Sequence, residues 1–594
     1  MLMALTGFAS AQAQEAYAVV TNEDGAHVAV AFYYDTYKNS FSGLDNTTVV
    51  ENLNEEGVSN KWCGSSVRTV TFDESFKNYT GLTSLYRWFY YCSALREIDV
   101  TNLNVTNVTR TEEMFAGCSK LETIYAAAGT NWDTGKITNS SSMFDGCTSL
   151  VGGALTSYYQ YAVGVSRARI DGGSANPGYF TDPTKPIAYA AVRMNADSKP
   201  EAVSFYYDTE SANRGSNPNV VIVKDLNRQH PWAGSSLTSA TFDASFANVT
   251  GLTNLSDWFS GCSALTSISG LEYLNTSKVT SMYYMFANCS SLTELDLTHF
   301  DVSSLTDTRD MFYNCSNLDA IYATGDWKTD KLTDYDDMFS ACNKLVGSAG
   351  TVYDSSSNTI DFAHVDGGPS APGFFSQKGV DLAYAAVEKD AEGKAVAVTF
   401  YYDKDKETRK AEGKTIVRTL NSPNAYQEWA SSTLTSVTFD SSFKDYTGLT
   451  SLYRWFSNCS NLTSITGLEN LNTTNVTTMA DMFSWCSLTE LDLSAFNTAN
   501  VTEMSYMFSY CTNLLTIYVG DGWTVGAGAA TTSMFLNCNA LVGGLGTYYN
   551  SEKTDGTMAH IDGGAANPGY FSRKGDPVAY AVVNFQHNIV NNLA

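Results

Sequence analysis

The residues of this chain that could do chemistry are twelve cysteines, six histidines and recurring pairs of acidic residues. Eleven of the cysteines follow a phenylalanine by three residues and recur every 25 to 29 residues within three clusters. They are Cys92, Cys118, Cys147, Cys262, Cys289, Cys315, Cys342, Cys459, Cys486, Cys511 and Cys538. Because they keep one position in the repeat, we expect a buried ladder of reduced thiols that pack as small hydrophobic groups. Disulfides between neighbouring rungs are the alternative, since adjacent rungs would lie within bridging distance.

Cys63 and the histidines offer little further chemistry. Cys63 lies outside the ladder, where the other copies have Ala233 and Ala430, so we predict a small buried residue there. No Cys-x-x-Cys pair or Cys/His cluster is present, which argues against zinc. His364 and His560 occupy matching positions, but the first copy has arginine there, so a repeated catalytic or metal-binding histidine is not expected. We therefore predict no metal and no cofactor.

Pairs of carboxylates could in principle hydrolyse a glycosidic bond, which requires two acids at a defined separation. Glu294 with Asp296 and Glu490 with Asp492 are such pairs. They recur from copy to copy, whereas one active site needs one pair, so we predict that the chain is not an enzyme. Repeated Asp-Gly-Gly segments could bind calcium, but the spacing of an EF-hand loop is absent and Asp-Gly is an ordinary turn.

The element that positions the cysteines is a short repeated coil. Met282, Met285, Phe286 and Cys289 are spaced as on one face of a short helix. The segment from Leu292 to Leu297 then alternates apolar and polar residues, which predicts a half-buried strand. Eleven such coils occur, three in the first cluster and four in each of the others. A single coil cannot bury its apolar face, so neighbouring coils must stack as a solenoid.

These coils resemble a known family. The segments Met285–Leu318 and Met482–Leu514 are similar to the 26-residue leucine-rich repeat of BspA-like bacterial surface proteins, and Ala559–Phe571 is similar to the segment that often closes such arrays. The resemblance implies an α/β repeat: leucine-rich-repeat-like solenoid arrays with a strand and a short helix per coil. It also implies adhesion to host or microbial proteins or glycans.

A longer period encloses the coils. The phrases AYAVV and AYAAV open successive units, each of which continues with a Phe-Tyr-Tyr-Asp strand and a Thr-Phe-Asp strand and closes with Asp-Gly-Gly and Pro-Gly. We predict three tandem units with β-rich caps at their openings and ordered turns at their ends. The predicted boundaries are 1–15 for a signal peptide, 16–187, 188–382 and 383–578 for the units, and 579–594 for the start of a fourth unit or a terminal cap strand.

Composition restricts the cellular location of the protein and the classes of partner that it could bind. The net charge is −26, only 16% of residues are charged and no basic run occurs, which argues against nucleic acid and anionic membrane surfaces. The first fifteen residues combine an apolar run with small residues, as the later part of a secretory signal does. No later apolar stretch is long enough to cross a bilayer. We therefore expect a secreted or cell-surface bacterial protein.

The outward row of the coil strands is the candidate binding surface. It alternates with inward leucine and isoleucine and carries acids and tyrosines, which are suited to binding because tyrosine combines a large contact area with a polar tip. These residues are Glu97, Asp99, Tyr125, Glu294, Asp296, Tyr322, Glu490, Asp492 and Tyr518. We predict non-catalytic, adhesin-like binding. The alternatives are a passive spacer of a longer surface protein and, third, a carbohydrate-active enzyme.

Overall fold

The computed structural model describes residues 13–325, 327, 330–357, 359–422 and 427–576. Most of the predicted signal peptide (1–15) and all of the predicted fourth opening (579–594) therefore lie outside the described residues. The first strand begins at Glu15, the last residue of that predicted signal. Within the described part, no helix combines the length and hydropathy that a membrane span requires.

Each repeat unit opens with a small antiparallel sheet. The first and second strands alternate small and aromatic residues and pair antiparallel with each other. A third strand pairs antiparallel with the first. In the first unit, Asp24 and Gly25 both have positive φ, as a two-residue hairpin turn requires. The strands are β1 (Glu15–Glu23), β2 (Ala26–Asp35) and β3 (Thr47–Val50); β8 (Ile187–Met194), β9 (Pro200–Asp208) and β10 (Val220–Val223); β16 (Leu382–Lys389), β17 (Ala395–Asp403) and β18 (Thr415–Val417).

The second strand of each opening sheet connects that sheet to the coils. It pairs parallel with the Thr-Phe-Asp strand, which is β4 (Thr69–Phe72), β11 (Ser239–Phe242) or β19 (Ser436–Phe439). In the second and third units a further strand follows, β12 (Ser267–Ser269) or β20 (Ser464–Thr466). The opening segments thus cover the edge of the first coil, as the sequence predicts.

The remaining strands form one three-stranded parallel sheet per unit. Each sheet joins two coil strands to a two-residue strand of the closing segment. The sheets are β5 (Glu97–Asp99), β6 (Thr123–Tyr125) and β7 (Phe180–Thr181); β13 (Glu294–Asp296), β14 (Ala320–Tyr322) and β15 (Phe375–Ser376); β21 (Glu490–Leu493), β22 (Thr516–Val519) and β23 (Phe571–Ser572). The described strands therefore make six separate sheets rather than one continuous face along the chain.

The predicted short helix in each coil is wrong, because the Met-Phe-x-x-Cys segment is a run of tight turns. Tyr284 and Asn288 have φ of 53° and 61°, which interrupts a right-handed helix. The N–H groups of Met285, Ala287 and Cys289 bond to carbonyls three residues earlier. The N–H groups of Tyr284, Phe286 and Asn288 bond instead to Arg309, Met311 and Tyr313 of the next coil. We call this arrangement the turn ladder.

Regular helices are short throughout the described residues. Two are α-helices, α1 (Ser211–Gly215) and α2 (Lys406–Ala411), and both lie in opening segments. The others are 3₁₀ helices that serve as connectors: Lys38–Ser40, Val58–Lys61, Glu74–Asn78, Val165–Arg167, Gly173–Ala175, Ala244–Asn248, Leu271–Tyr273, Ile360–Phe362, Ser441–Asp445, Leu468–Asn470, Gly556–Met558 and Gly564–Ala566. The fold is accordingly a repeat of strands and turns, and the α/β assignment does not hold for the coils.

The core is built from the residues that the repeat conserves between its own copies. In the third unit, the rings of Phe456, Phe483, Phe508 and Phe535 stack in sequence with centroids 5.6–5.9 Å apart. The cysteine that follows each phenylalanine is buried. The thiols of Cys486, Cys511 and Cys538 each donate to a phenylalanine carbonyl of the preceding coil, as Cys511 does to Phe483 at 2.9 Å. The eleven ladder cysteines are buried, as predicted, and Cys63 is half-buried. The reduced state of the ladder stays a prediction.

The chain forms two compact bodies. The first comprises Met1–Leu292, His299–Asn314 and Thr329–Met338, and the second comprises Thr293–Thr298, Cys315–Lys328 and Phe339–Ala594. The first repeat unit and the opening of the second thus belong to one body. The end strands of the second unit belong to the same body as the third unit.

Candidate binding surfaces

In the first unit, the predicted strand-face residues lie beside a lysine of the next opening segment. Lys224 follows β10, and its ammonium donates to the Thr123 hydroxyl at 3.0 Å and the Tyr125 hydroxyl at 3.2 Å. It lies 3.7 Å from a carboxylate oxygen of Glu97 and 5.5 Å from the centre of the Tyr125 ring. Asp99 caps the following turn by accepting from the Thr101 N–H. Glu97 and Tyr125 therefore help to hold two repeat units together.

The second unit uses its strand face in the same way. Glu294 forms an ion pair with Lys406, whose side chain is only 5% exposed and lies 3.8 Å from Asp319. Burial lowers the pKa of Lys406, but the nearby carboxylates outweigh it and keep the pKa above its usual value. Asp296 pairs with Lys378 of the closing segment at 2.5 Å. Tyr322 is half-buried beside this cluster, and its burial raises the pKa of its hydroxyl.

The third unit leaves more of this face open. Asp492 pairs with Lys574, which corresponds to the Asp296–Lys378 pair. Glu490 is exposed, and Tyr518 is half-buried. The structure thus brings the predicted residues together within each unit. It ties Glu97, Glu294 and Asp296 to internal lysines, as it does Asp492.

The acid pair of the second unit, Glu294 and Asp296, is engaged in ion pairs. The two carboxylates of Glu294 and Asp296 bind different lysines instead of facing each other across an open groove. Elsewhere in the described residues, no cluster of three or more histidine, cysteine or acidic side chains could hold a metal ion.

The Asp-Gly-Gly segments have a structural role. In the third unit, one carboxylate oxygen of Asp562 accepts from the Leu545 and Thr547 N–H groups at 2.9 and 3.0 Å. The other accepts from the Thr547 hydroxyl at 2.7 Å and from the Gly564 N–H at 2.8 Å. Asp171 and Asp366 make the same set of bonds in the first and second units. Because donors surround these carboxylates, they close the array and are not arranged to bind calcium.

The matching histidines are also structural. Nδ1 of His364 and of His560 hydrogen-bonds to the carbonyl of the next residue at 2.9 and 3.0 Å. His230 is buried against Trp232 and Trp258, and burial lowers its pKa to about 4. None of the three is placed as a base beside a nucleophile.

Sequence reasoning missed a second surface, the outside of the turn ladder. Exposed aromatic side chains recur there in all three units, while the strand-face tyrosines are half-buried. The exposed aromatic residues of the ladder are Tyr91, Tyr313, Tyr335, Trp485 and Tyr506. Their signal in the sequence is an aromatic residue at a position next to, or a few residues before, a ladder cysteine.

In the third unit, Trp485 and Tyr510 form a stacked pair on this surface. Their rings are 3.9 Å apart at the centroids and within 5° of parallel, and Trp485 is 51% exposed. Tyr506 lies in the same coil as Tyr510 and lines an open cleft of about 480 Å³. Tyr453 and Glu503 line the same cleft. We call Trp485, Tyr506 and Tyr510 the aromatic ridge.

The backbone under the aromatic ridge is strained. The residue before each ladder cysteine adopts the left-handed conformation, and in seven of the eleven coils it is glycine or asparagine, which tolerate it. Trp485 and Tyr510 hold φ of 61° and 62° at this position. A large aromatic residue costs free energy there, and the exposed Trp485 gains little from burial, so stability does not explain its presence. Strained, exposed residues of this kind concentrate at functional sites.

Comparison with known proteins identifies the repeat. The family model described as "Mycoplasma protein of unknown function, DUF285" matches residues 68–163, 235–351 and 450–565, which together make up more than half of the chain. The chain belongs to this DUF285 family. The three matched segments fall one in each repeat unit, so the DUF285 repeat comprises the coils without the opening strands.

The other comparisons add no function. A solved structure of a leucine-rich cell surface protein from Faecalibacterium prausnitzii A2-165 is 16% identical to this protein. The match covers 60% of this protein and 93% of the solved chain. Its TM-score is 0.17, so the two whole chains do not superpose. A search of curated proteins gives no match.

Proposed function

We propose that this DUF285 chain is an exported, non-catalytic bacterial surface protein that binds host or microbial surface proteins or glycans. The ligand contacts the turn ladder, and the aromatic ridge of the third unit is its main anchor. The observation that carries the proposal is the stacked pair of exposed Trp485 and half-buried Tyr510 on a left-handed backbone. Tryptophan and tyrosine supply most of the binding free energy at many interfaces. The predicted strand-face residues remain a second candidate surface, of which Glu490 and Tyr518 are the most accessible pair.

The test is the double variant Trp485→Asn with Tyr510→Asn, in the full chain. Asparagine occupies the same position in four other coils and tolerates the left-handed conformation. The free energy of unfolding should therefore stay within about 1 kcal/mol of wild type. Affinity for the ligand found in a screen of host and microbial surface proteins and glycans should fall at least about thirtyfold, because even one lost anchor is worth about 2 kcal/mol or more.

The matched control is Tyr91→Asn, which replaces an exposed tyrosine at the same position of the first unit. It should retain the affinity. Wild-type affinity in the double variant would contradict the assignment of the ridge.

A passive spacer is the second candidate function. The lysines that tie one unit to the next favour it, because Lys224 and Lys406 hold successive units in fixed contact. If the wild-type chain binds nothing in the same screen while the units unfold together, the spacer role is the better explanation.

A further inference from the structure

The junction between the first and second units contains a specific site for a lysine. Thr123 and Tyr125 accept from the Lys224 ammonium, and Glu97 supplies the negative charge. Thr123 and Glu97 are partners across β5 and β6, so the pairing of these strands places the site. Lys224 directly follows Val223, the last residue of the third strand in the opening segment.

The junction between the second and third units places a cation at the same position. Arg418 directly follows Val417, and Val417 pairs with Ala385 as Val223 pairs with Ala190. The Arg418 guanidinium donates to the carbonyl oxygen of Asp319 at 2.8 Å, and its side chain is 2% exposed. A cation after the third strand, half-buried as Lys224 or buried as Arg418, is therefore common to both junctions.

The end of the third unit repeats the lysine site of the first. Glu490 pairs with Thr516 across β21 and β22, as Glu97 pairs with Thr123, and Tyr518 stands at the position of Tyr125. All three residue types are the same. We call Glu490, Thr516 and Tyr518 the terminal lysine site.

The surface around the terminal lysine site is apolar and exposed. Leu515, Leu545 and Tyr548 are 52%, 63% and 69% exposed. Leu545 and Tyr548 stand at the positions of Ala154 and Ser157, which the next unit covers at the first junction. There the Ser157 hydroxyl donates to Asp225, and a Cβ on Gly251 would lie 2.4 Å from the Ala154 carbonyl oxygen.

The opening segment of the first unit keeps most of the docking residues but reverses the charge. Asn54 and Gly81 stand where the second unit has Asn227 and Gly251. The residue after the third strand, however, is Glu51, which pairs with Lys38 at 3.0 Å. A second copy that docked its first unit on the terminal lysine site would bring Glu51 against Glu490.

We propose that the end face of the third unit is a docking site for the opening segment of another repeat unit that carries lysine or arginine after its third strand. Glu51 prevents the first unit of a second copy from occupying this site. Two observations select this partner. The two internal junctions use the same kind of contact, and the negative charge of Glu490 repels a segment that carries an acid after its third strand. Such a contact is head-to-tail, so copies could associate into a chain. The charge of the residue after the third strand, Glu51 in the first unit, decides whether they do so.

The experiment creates the matching partner from the chain itself. Full-length Glu51→Lys carries a cation at the required position and should self-associate in sedimentation velocity at low salt, with a dissociation constant at least tenfold below that of wild type. Wild type should remain monomeric. Glu51→Lys combined with Glu490→Lys should return to the monomer, because both positions are then positive.

The control is Glu55→Lys, an equal charge change at an exposed residue close to Glu51 in sequence, and it should not cause association. Thermal melts establish that each variant is folded, and Glu51→Arg serves as the replacement if Glu51→Lys is not. Association that persists in the double variant, a folded Glu51→Lys or Glu51→Arg chain that stays monomeric, or wild type that associates equally would each overturn the proposal.

Discussion

At the scale of single residues, the groups that suggested chemistry serve the structure instead. The ladder cysteines are buried, and burial raises the pKa of Cys511 to about 12, so its reactive thiolate is scarce at neutral pH. The aspartate of each Asp-Gly-Gly segment accepts hydrogen bonds from backbone and hydroxyl donors. These residues share one property: the repeat places the same kind of hydrogen-bond partner beside them in successive copies.

We predict that Asp562→Asn destabilises the closing segment of the third unit by about 3 kcal/mol, because an amide N–H would replace an oxygen that now accepts hydrogen bonds. Burial raises the pKa of Asp562, but the Thr547 hydroxyl and the backbone donors outweigh it and hold the pKa below its ordinary value. A lowered pKa in the folded state means that this stabilisation is present at neutral pH and is lost as the pH falls below the ordinary pKa of aspartate and through the lowered pKa of Asp562.

Chemical denaturation followed between pH 7 and acid conditions measures both effects. The Asn variant should lose less stability on acidification than wild type does. Asp576→Asn changes an exposed aspartate nearby and should match wild type at every pH. An unchanged denaturation midpoint in Asp562→Asn would contradict the structural role of this carboxylate.

At the scale of elements, the turn ladder replaces the expected helix. Alternate N–H groups bond within the turn and to the neighbouring coil, so a coil is completed only by its neighbour. The left-handed residues that make this possible are glycine and asparagine in most coils. Trp485 and Tyr510 depart from that preference, and Trp485 is exposed, which is why the aromatic ridge points to binding.

Asn537 tests the conformational requirement of the ladder. Its φ is 60°, so Asn537→Ala should lower the free energy of unfolding by about 1 kcal/mol, since a Cβ without a compensating polar side chain disfavours this region. Asn537→Gly should remain close to wild type, since glycine adopts it freely. Thermal unfolding of the two variants gives the comparison. Equal loss in both would mean that the asparagine side chain, and not the backbone, matters.

At the scale of the whole molecule, cations of one unit bind the strand face of the unit before it. Lys406 and Glu294 are 112 residues apart in sequence, yet they form a nearly buried ion pair. Asp319 lies in the same cluster. The arrangement explains why a glutamate recurs at the position of Glu97 and Glu294: in the first two units it contacts a lysine of the next opening segment.

We predict that Lys406→Met destabilises the junction between the second and third units by about 3 to 5 kcal/mol, because it leaves Glu294 and Asp319 without their shared buried cation. Hydrogen exchange should show faster opening of β13 and β14 together with the opening sheet of the third unit. Lys404→Met removes an exposed lysine from the same segment and should change stability by no more than about 0.5 kcal/mol. Equal effects of the two substitutions would contradict the role of the junction.

The sequence by itself determined the repeat, the three units and the buried ladder of phenylalanine and cysteine. These features follow from burial of the same apolar positions in every copy, so the spacing within one coil is sufficient to predict them. The strand predicted within Leu292–Leu297 is present as Glu294–Asp296.

Only the tertiary structure decided between helix and turn, and between an open and an occupied strand face. The spacing of Met282, Met285, Phe286 and Cys289 fits either a helix or a turn ladder, and hydrogen bonds to the next coil select the ladder. The partner of Glu294 is a lysine more than a hundred residues away, which no local pattern can specify. The exposure of Trp485 likewise depends on which side of the coil meets the core, and stacking of the coils fixes that side.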